Sequence, residues 1–299
     1  DANLQNSELG VVSMKNADLS KAELTGSQLI AADLKGVNLR SSQLEKVDFT
    51  DAELTKADLS LANLDHANLY AANLSEAVLN DANLRQSKLV NANFEQAQIN
   101  RADLEKADLS GTNLTRAKLT ASTLNGAKLN NVDLIGAEMK TTELTGAEIR
   151  RSDLRGANLS KAILSDTNIS ESNLKQANLS GASIIKSTLT KSELEEVDLS
   201  NSILENVDLK QSNLSRSNIS MAKILETDFN NSLLNDSNML GAEVVVTDFQ
   251  NALLVNVNFE NSTLITSDFN SANLTGAGFK GSVLKVVKLN GSNLNSTDF

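Results

Sequence analysis

The chain lacks several residue types on which other folds and many active sites depend. Its 299 residues include no cysteine, no proline and no tryptophan, and only one tyrosine and one histidine. Without cysteine there is no disulfide framework, no thiolate zinc site and no cysteine nucleophile. A lone histidine has no second imidazole with which to share a metal ion or a proton. Composition therefore argues against thiolate zinc sites, cysteine nucleophiles and sites that need two histidines.

Long apolar runs and excess positive charge are also missing. No segment approaches the ~20 consecutive apolar residues of a membrane-spanning helix, and the N-terminus lacks the basic-then-apolar pattern of a signal peptide. The formal net charge of −11 disfavours direct binding to nucleic acid. We therefore expect no membrane span and no direct nucleic-acid binding. The compartment stays open, because exported and cytosolic proteins can both lack cysteine.

What the chain does have is a five-residue register that never slips. From Leu4 to Phe299 every fifth residue is large and apolar, and we call this residue the centre of its pentapeptide. Two residues before each centre, from Ala2 to Thr297, the chain carries only Ala, Ser, Val or Thr. The residue between them is Asp or Asn in 32 of the sixty pentapeptides. Such regularity indicates a repeat architecture, which grows along one axis.

A five-residue period fits neither a helix nor a plain strand, but it fits a short strand followed by a corner. Side chains alternate along a strand, so the centre and the small residue two positions earlier point inward together. The Asp or Asn between them points outward. Of the 14 glycines, 12 stand two residues after a centre, where a turn needs a residue that tolerates positive φ.

The number of pentapeptides in one coil is predicted by the phenylalanines. Every phenylalanine occupies a centre, and six of them fall into two sets spaced by twenty residues: Phe229, Phe249 and Phe269, and Phe259, Phe279 and Phe299. A coil of four pentapeptides stacks each set into a ladder inside the core. We therefore predict a four-sided coil of twenty residues.

Segments such as AANLSEAVLNDANL, at Ala71–Leu84, and ADLEKADLSGTNL, at Ala102–Leu114, resemble the A(D/N)LXX repeats of the pentapeptide-repeat family. The resemblance covers the whole chain. It implies an all-β fold, a right-handed quadrilateral parallel β-helix, with about 15 coils of four pentapeptides over residues 1–299 as a single domain. It implies no single function, because the family includes proteins that protect DNA gyrase by mimicking DNA, lumenal proteins of cyanobacteria and plants, and secreted bacterial effectors.

No candidate catalytic, cofactor-binding or metal-binding residues emerge from the sequence. The many carboxylates stand at regular outward repeat positions, where we expect them to bond nearby backbone. His66 falls at a corner and is expected to be solvated. The acidic run of Glu193, Glu195 and Glu196 is interpreted as solvated charge or a weak cation contact. A catalytic site needs dissimilar groups converging in a concavity, so we expect no enzyme activity and no cofactor.

Outward apolar residues, by contrast, accumulate in the C-terminal part. Seven successive coils each place one on the side whose centres run from Leu164 to Leu284. A contiguous apolar surface commonly marks an interface. These residues form the candidate interface, which we call the apolar stripe: Ile163, Ile185, Ile203, Leu225, Val245, Ile265 and Val283.

These patterns favour a structural or protein-interaction module, a rigid solenoid with a C-terminal docking stripe. The expected partner is another protein or a second copy, bound at the stripe or at the coils that begin and end the register. These end coils expose strand edges, which we expect either flanking segments or a second copy to cover. The alternative is a DNA-mimicking regulator of a type II topoisomerase such as gyrase. Lysines and arginines interleaved with the acids weaken it, since a phosphate mimic needs a concentrated array of negative charge.

Overall fold

The computed structural model describes residues 2–299, which form two compact units, residues 2–153 and Leu154–Phe299. Within the first unit, parallel bridges join each outward residue to the one twenty positions later. Asn3 pairs with Glu23 and, one pentapeptide on, Glu8 pairs with Gln28. Ser13 and Asp18 pair in the same way with residues 33 and 38. Four bridged positions in every twenty residues make each coil four-sided.

The second unit repeats this register and adds a regular sheet. Its parallel strands, in the order β1 to β7, are β1 (Ile163–Ser165), β2 (Ser183–Ile185), β3 (Ile203–Glu205), β4 (Lys223–Leu225), β5 (Glu243–Val245), β6 (Thr263–Ile265) and β7 (Val283–Lys285). Neighbouring strands pair through residues twenty apart, as Leu164 does with Ile184. The predictions of an all-β, right-handed parallel solenoid and of a twenty-residue coil are confirmed. No helix occurs among residues 2–299.

Tight turns form most of the corners. The N–H of the third residue after a centre donates to the carbonyl of that centre, as from Ala17 to Met14 at 3.1 Å. The second residue after the centre then holds a positive φ, such as +54° at Asn16 and +71° at Gly26. Lysine, glutamate and even valine also occupy this left-handed position elsewhere in both units. The geometry of the coil, and not the residue type, therefore fixes the corner.

The core consists of the residues predicted to face inward. Leucine and phenylalanine centres such as Leu24 and Phe49 are fully buried, and so are Ala22 and Val47, the small inward residues two positions before them. Inward hydroxyls bind backbone carbonyls, as Ser42 Oγ donates to Leu39 O at 2.6 Å and Ser122 Oγ to Ile99 O at 2.6 Å. Among the described residues, Ser217 Oγ and Ser237 Oγ have no hydrogen-bond partner.

Outward Asn and Asp side chains brace the coils from outside. The Oδ1 atom of Asp58 accepts from the N–H of Ser60 at 2.9 Å, and the same bond closes at Asp18, Asp103 and Asp108. Asparagines also bond across coils, as Asn83 Nδ2 donates to Asn63 Oδ1 at 2.8 Å. Asp33 differs, because its carboxylate pairs with Lys15 at 2.8 Å. The expectation that outward carboxylates bond nearby backbone is confirmed at Asp18, Asp58, Asp103 and Asp108.

The side that carries β1–β7 lacks this bracing. Its strands place no Asn or Asp before the centre, so no side chain there competes for the backbone N–H after the centre. The inward residues that follow are Thr, Ser or Val, and none is Ala. At the first of these corners, the N–H of Thr167 donates to Ser187 Oγ at 3.1 Å, and Ser187 Oγ donates to Leu164 O at 2.6 Å. The Ser187 hydroxyl thus links the two backbone groups of this corner, which we call an opened corner. The three residues before it, Ile163–Ser165, pair with the next strand as β1.

Candidate interaction surface

The seven residues of the apolar stripe occupy two parallel rows on one side of the second unit. Ile163, Ile203 and Val283 precede their centres, and the other four follow theirs. In the row that follows the centres, Leu225, Val245 and Ile265 are direct register partners. This side therefore brings three stripe residues into one unbroken row and leaves the remaining four on flanking positions. We call the outward surface of strands β1 to β7 the β1–β7 face.

Exposure differs between the two rows. The side chains that precede their centres protrude, with 42% of Ile163, 39% of Ile203 and 45% of Val283 accessible to solvent. The apolar residues in the row after the centres are half-buried. Apolar carbon therefore lies at the surface in every coil from β1 to β7, with nothing in the described chain covering it.

The face also carries four charges that the sequence interpretation did not single out. Glu205 and Lys285 lie in the row after the centres, whereas Lys223 and Glu243 lie in the row before them and are register partners. All four side chains are exposed, and none takes part in a hydrogen bond or ion pair between side chains within the described chain. The twenty-residue register, applied to charged residues as well as apolar ones, would have located them.

Two valines at corners border the face after β5 and β7. Val246 is 52% exposed and Val286 is 74% exposed. Both hold the left-handed conformation, at φ +53° and +56°, which is strained for a β-branched residue. Met221, at the corner before β4, is 61% exposed and was also missed by the sequence interpretation. The apolar surface thus extends past both ends of the central strands.

The six phenylalanines assigned to the core ladder lie in two stacked rows inside the second unit. Ring centroids are 4.9 Å apart between Phe229 and Phe249, and 4.6 Å apart between Phe249 and Phe269, with nearly parallel planes. In the other row, Phe279 stacks on Phe259 at 4.9 Å and on Phe299 at 5.1 Å. The rows meet edge to face between Phe249 and Phe259 at 6.4 Å. Phe299 is the exception to burial, at 63% exposed.

Two residues of the acidic run, Glu195 and Glu196, pair with cationic side chains. Lys175 Nζ lies 2.5 Å from Glu195, and Arg216 binds both Glu195 and Glu196. The hydrogen bond from Lys175 lowers the pKa of Glu195, and those from Gln176 and then Arg216 lower the pKa of Glu196. These cations come from the neighbouring coils, twenty residues away along the chain. The residues next to the acidic run in sequence therefore do not show its partners.

The lone histidine lies at a corner of the coil. His66 is exposed, and its Nδ1 lies 2.8 Å from a carboxylate oxygen of Asp65, its neighbour in the chain. Across residues 2–299 no three His, Cys, Asp or Glu side chains converge in a way that could hold a metal ion. In the same part of the chain, no helix has the length and apolarity to cross a bilayer. The β1–β7 face, whose outward residues depart from the repeat, is the candidate interaction surface.

Comparison with known proteins identifies the repeat. A search of curated protein sequences finds no match. A solved structure of trypsin-treated QnrB1, a plasmid-mediated fluoroquinolone resistance protein, is 18% identical, spans 59% of this chain and 90% of its own, and superposes with a TM-score of 0.54. HetL from Nostoc sp. strain PCC 7120, described as involved in heterocyst differentiation regulation, is 24% identical over 96% of this chain and 89% of its own, with a TM-score of 0.26.

The family evidence lies in the sequence itself. The profile described as pentapeptide repeats matches overlapping segments within residues 1–151, and further segments within 162–231 and 247–281. These matches cover most of the chain, and the twenty-residue parallel register within each unit is the structural counterpart of the repeat. The protein is a member of the pentapeptide-repeat family.

Proposed function

We propose that this protein is a non-enzymatic interaction module that binds a protein partner through the β1–β7 face. The observation that carries the proposal is the row Leu225, Val245 and Ile265, flanked by exposed Ile203 and Val283. Aliphatic surface in seven successive strands loses its contact with water when a partner covers it, at about 25 cal/mol per Å² of apolar area. The predicted total of fifteen coils would display this face on a solenoid of fixed register.

Support comes from the same phase of the repeat in the first unit. There the residues flanking the centres are polar or charged in every coil, as at Glu23, Asn63 and Arg85. Both units hold the same coil register, so the fold itself does not require aliphatic side chains at these outward positions. Their concentration in β1–β7 therefore points to a role outside the coil, such as an interface.

Backbone strain at the border of the face gives independent support. An L-residue in the left-handed conformation costs roughly 1–2 kcal/mol, and Asn or Gly largely avoids that cost. Val246 and Val286 hold this conformation with exposed side chains, so neither gains full burial in return. A partner that covers these valines would offset the strain.

The test replaces two residues in the centre of the row. Leu225→Lys with Val245→Lys places two charges on the apolar row, while the inward residues that hold the coil stay unchanged. We expect a folded protein that has lost association, seen by light scattering for self-association and by affinity capture from an extract of the cells that express it. The expected loss reflects the cost of burying unpaired ammonium groups.

Leu233→Lys with Leu253→Lys is the matched control. These leucines are 37% and 40% exposed, are register partners and lie on another side of the coil. Circular dichroism checks that both double variants keep the fold. The proposal is wrong if the Leu225/Val245 variant associates as strongly as the control.

The DNA-mimic alternative is supported by the net charge of −11 and by the family fold. Its weakness lies in the distribution of that charge. Arg101 binds Asp81 at 2.7 Å, and Lys210 binds Asp228 at 2.8 Å. Such pairs break the rows of carboxylates that would have to imitate evenly spaced phosphates, so we rank this function second.

A further inference from the structure

The β1–β7 face is built to fit itself, and we infer that its partner is a second copy of this chain, bound face to face with its coils running in the opposite direction. The inference rests on the proposed function and adds the identity of the partner. It follows from the order of charges and aliphatic residues along the strands.

The relevant symmetry is a two-fold axis parallel to the strands that passes between β4 and β5. Rotation about this axis keeps each row over its own counterpart and reverses the order of the strands. Strand β4 then lies opposite the partner's β5, β3 lies opposite the partner's β6, and β2 lies opposite the partner's β7. A closed, isologous contact of this kind is the commonest form of homodimer.

The charges on the face pair under this rotation. Lys223 comes to lie opposite Glu243 of the partner subunit, and the symmetry produces the same pair twice. Glu205 does not lie directly opposite the partner's Lys285 but is offset from it by one coil, about 4.8 Å along the solenoid. The two long side chains can span this offset. The strands of the face contribute two lysines and two glutamates, so these four charges balance within the contact.

The aliphatic residues meet in the same arrangement. Leu225 lies opposite the partner's Val245, again twice, at the centre of the contact. Met221, at the exposed corner before β4, lies opposite the partner's Gly241. Gly241 has no side chain, and within its own chain the Met221 sulfur already lies 2.6 Å from where a Cβ would stand. Each thioether therefore lies over the glycine corner of its own chain, and the two thioethers meet near the axis.

The alternative symmetry axis, along the solenoid, does not produce these pairs. It sets coil against identical coil and exchanges the two rows. Lys223 then lies opposite the partner's Leu225, and Glu243 lies opposite the partner's Val245. Each charge would be covered by aliphatic carbon, which costs free energy without a compensating partner. The antiparallel arrangement is therefore favoured.

The size of the face sets the expected strength. Six steps of about 4.8 Å between strands give a face roughly 30 Å long. With a width of about 15 Å, two such faces bury on the order of 1,000 Å² in total, at the low end for specific interfaces. We expect a reversible dimer with a Kd in the micromolar range, about 1–100 μM.

Sedimentation velocity of the purified chain, from about 1 μM to about 1 mM, tests the inference. The wild type should shift from monomer to dimer.

Lys223→Glu sets four carboxylates around the axis and Glu243→Lys sets four ammonium groups there, so each variant alone should associate at least about tenfold more weakly. An equimolar mixture of the two variants should recover the dimer, because each glutamate then faces a lysine. Lys191→Glu makes the same charge change at an exposed corner away from the face and should leave association unchanged.

Recovery in the mixture also shows that both variants fold. A wild type that stays monomeric over the whole range overturns the self-association, and so does a dimer unaffected by both single reversals. A mixture that stays monomeric while the wild type dimerises overturns the antiparallel register. The proposed function is tested separately. If the wild type captures a protein that the Leu225→Lys, Val245→Lys variant does not, the face binds another protein even where the self-association fails.

Discussion

The left-handed residue at each corner is the point where this fold demands most of a single side chain. Glycine and asparagine meet the demand at low cost, and many corners carry them. Valine does not, because its branched Cβ crowds the neighbouring backbone. The coil nevertheless holds Val11, Val246 and Val286 at positive φ. A valine at such a position supports a binding role only where its exposed side chain lies next to a candidate interface.

Val246→Asn should therefore separate stability from function. We expect the variant to be more stable to urea by about 1 kcal/mol, because asparagine tolerates the left-handed conformation better. Its association through the β1–β7 face should weaken, because apolar area at the border is lost. Val11→Asn is the control, since Val11 has φ +58°, is 81% exposed and lies in the first unit. It should gain stability without changing association, and equal association by both variants would contradict a role for Val246 in binding.

At the scale of the element, the phenylalanine rows set the second unit apart. Phe249 stacks on Phe229 and Phe269 and meets Phe259 edge to face. Phe49 occupies the same kind of centre and is equally buried, but it has no aromatic ring partner among residues 2–299. The two phenylalanines are equally buried and differ in their ring contacts. Comparing them therefore isolates the contribution of ring stacking to the stability of the fold.

Phe249→Leu should destabilise the protein more than Phe49→Leu. Both changes remove similar volume from a closed core, but only the first removes ring contacts worth about 0.5–1.5 kcal/mol each. Urea unfolding followed by circular dichroism measures the difference, with hydrogen exchange to assign it to residues around 249. Equal losses of stability in the two variants would mean that the stacked geometry contributes nothing beyond burial.

Much of the fold was predictable because the pattern is local and strictly periodic. Inward centres, small partners, corner positions and the twenty-residue coil all follow from alternation and spacing, and the structure places Leu24, Ala22 and Gly26 accordingly. The opened corner after Leu164 was not predictable from spacing, because it depends on a hydroxyl that Ser187 supplies from the next coil. The pairing of Glu195 with Lys175 and Arg216 escaped prediction for the same reason.

The surface was predictable only in part. Spacing by twenty located the apolar stripe and, applied to charged residues, would also have placed Lys223 beside Glu243. The difference in exposure between the two rows of the face could not be predicted from spacing, because it depends on how each side chain packs in the coil. Met221 was missed because a corner methionine breaks no rule of the repeat; its exposure became evident only in the structure.

At the scale of the whole molecule, the repeat and the function rest on different residues. Coils in a solenoid contact only their neighbours, so any coil that keeps its inward residues can change its outward ones freely. Membership of the pentapeptide-repeat family therefore establishes the fold and leaves the activity to the surface. Here the outward departures from the repeat concentrate on β1–β7, and our account assigns the binding function to them.

The most direct test of that assignment measures whether the β1–β7 face is covered when the protein associates. The chain has no cysteine, so Thr263→Cys on β6 and, as a control on another side, Thr275→Cys each introduce one thiol at a half-buried outward position. Alkylation rates are measured as the concentration of wild-type chain, or of a captured partner, is raised. At a free partner concentration of ten times the Kd, we predict that the thiol at position 263 reacts about tenfold more slowly while the thiol at position 275 is unaffected. Equal rates at both positions under associating conditions would contradict the account.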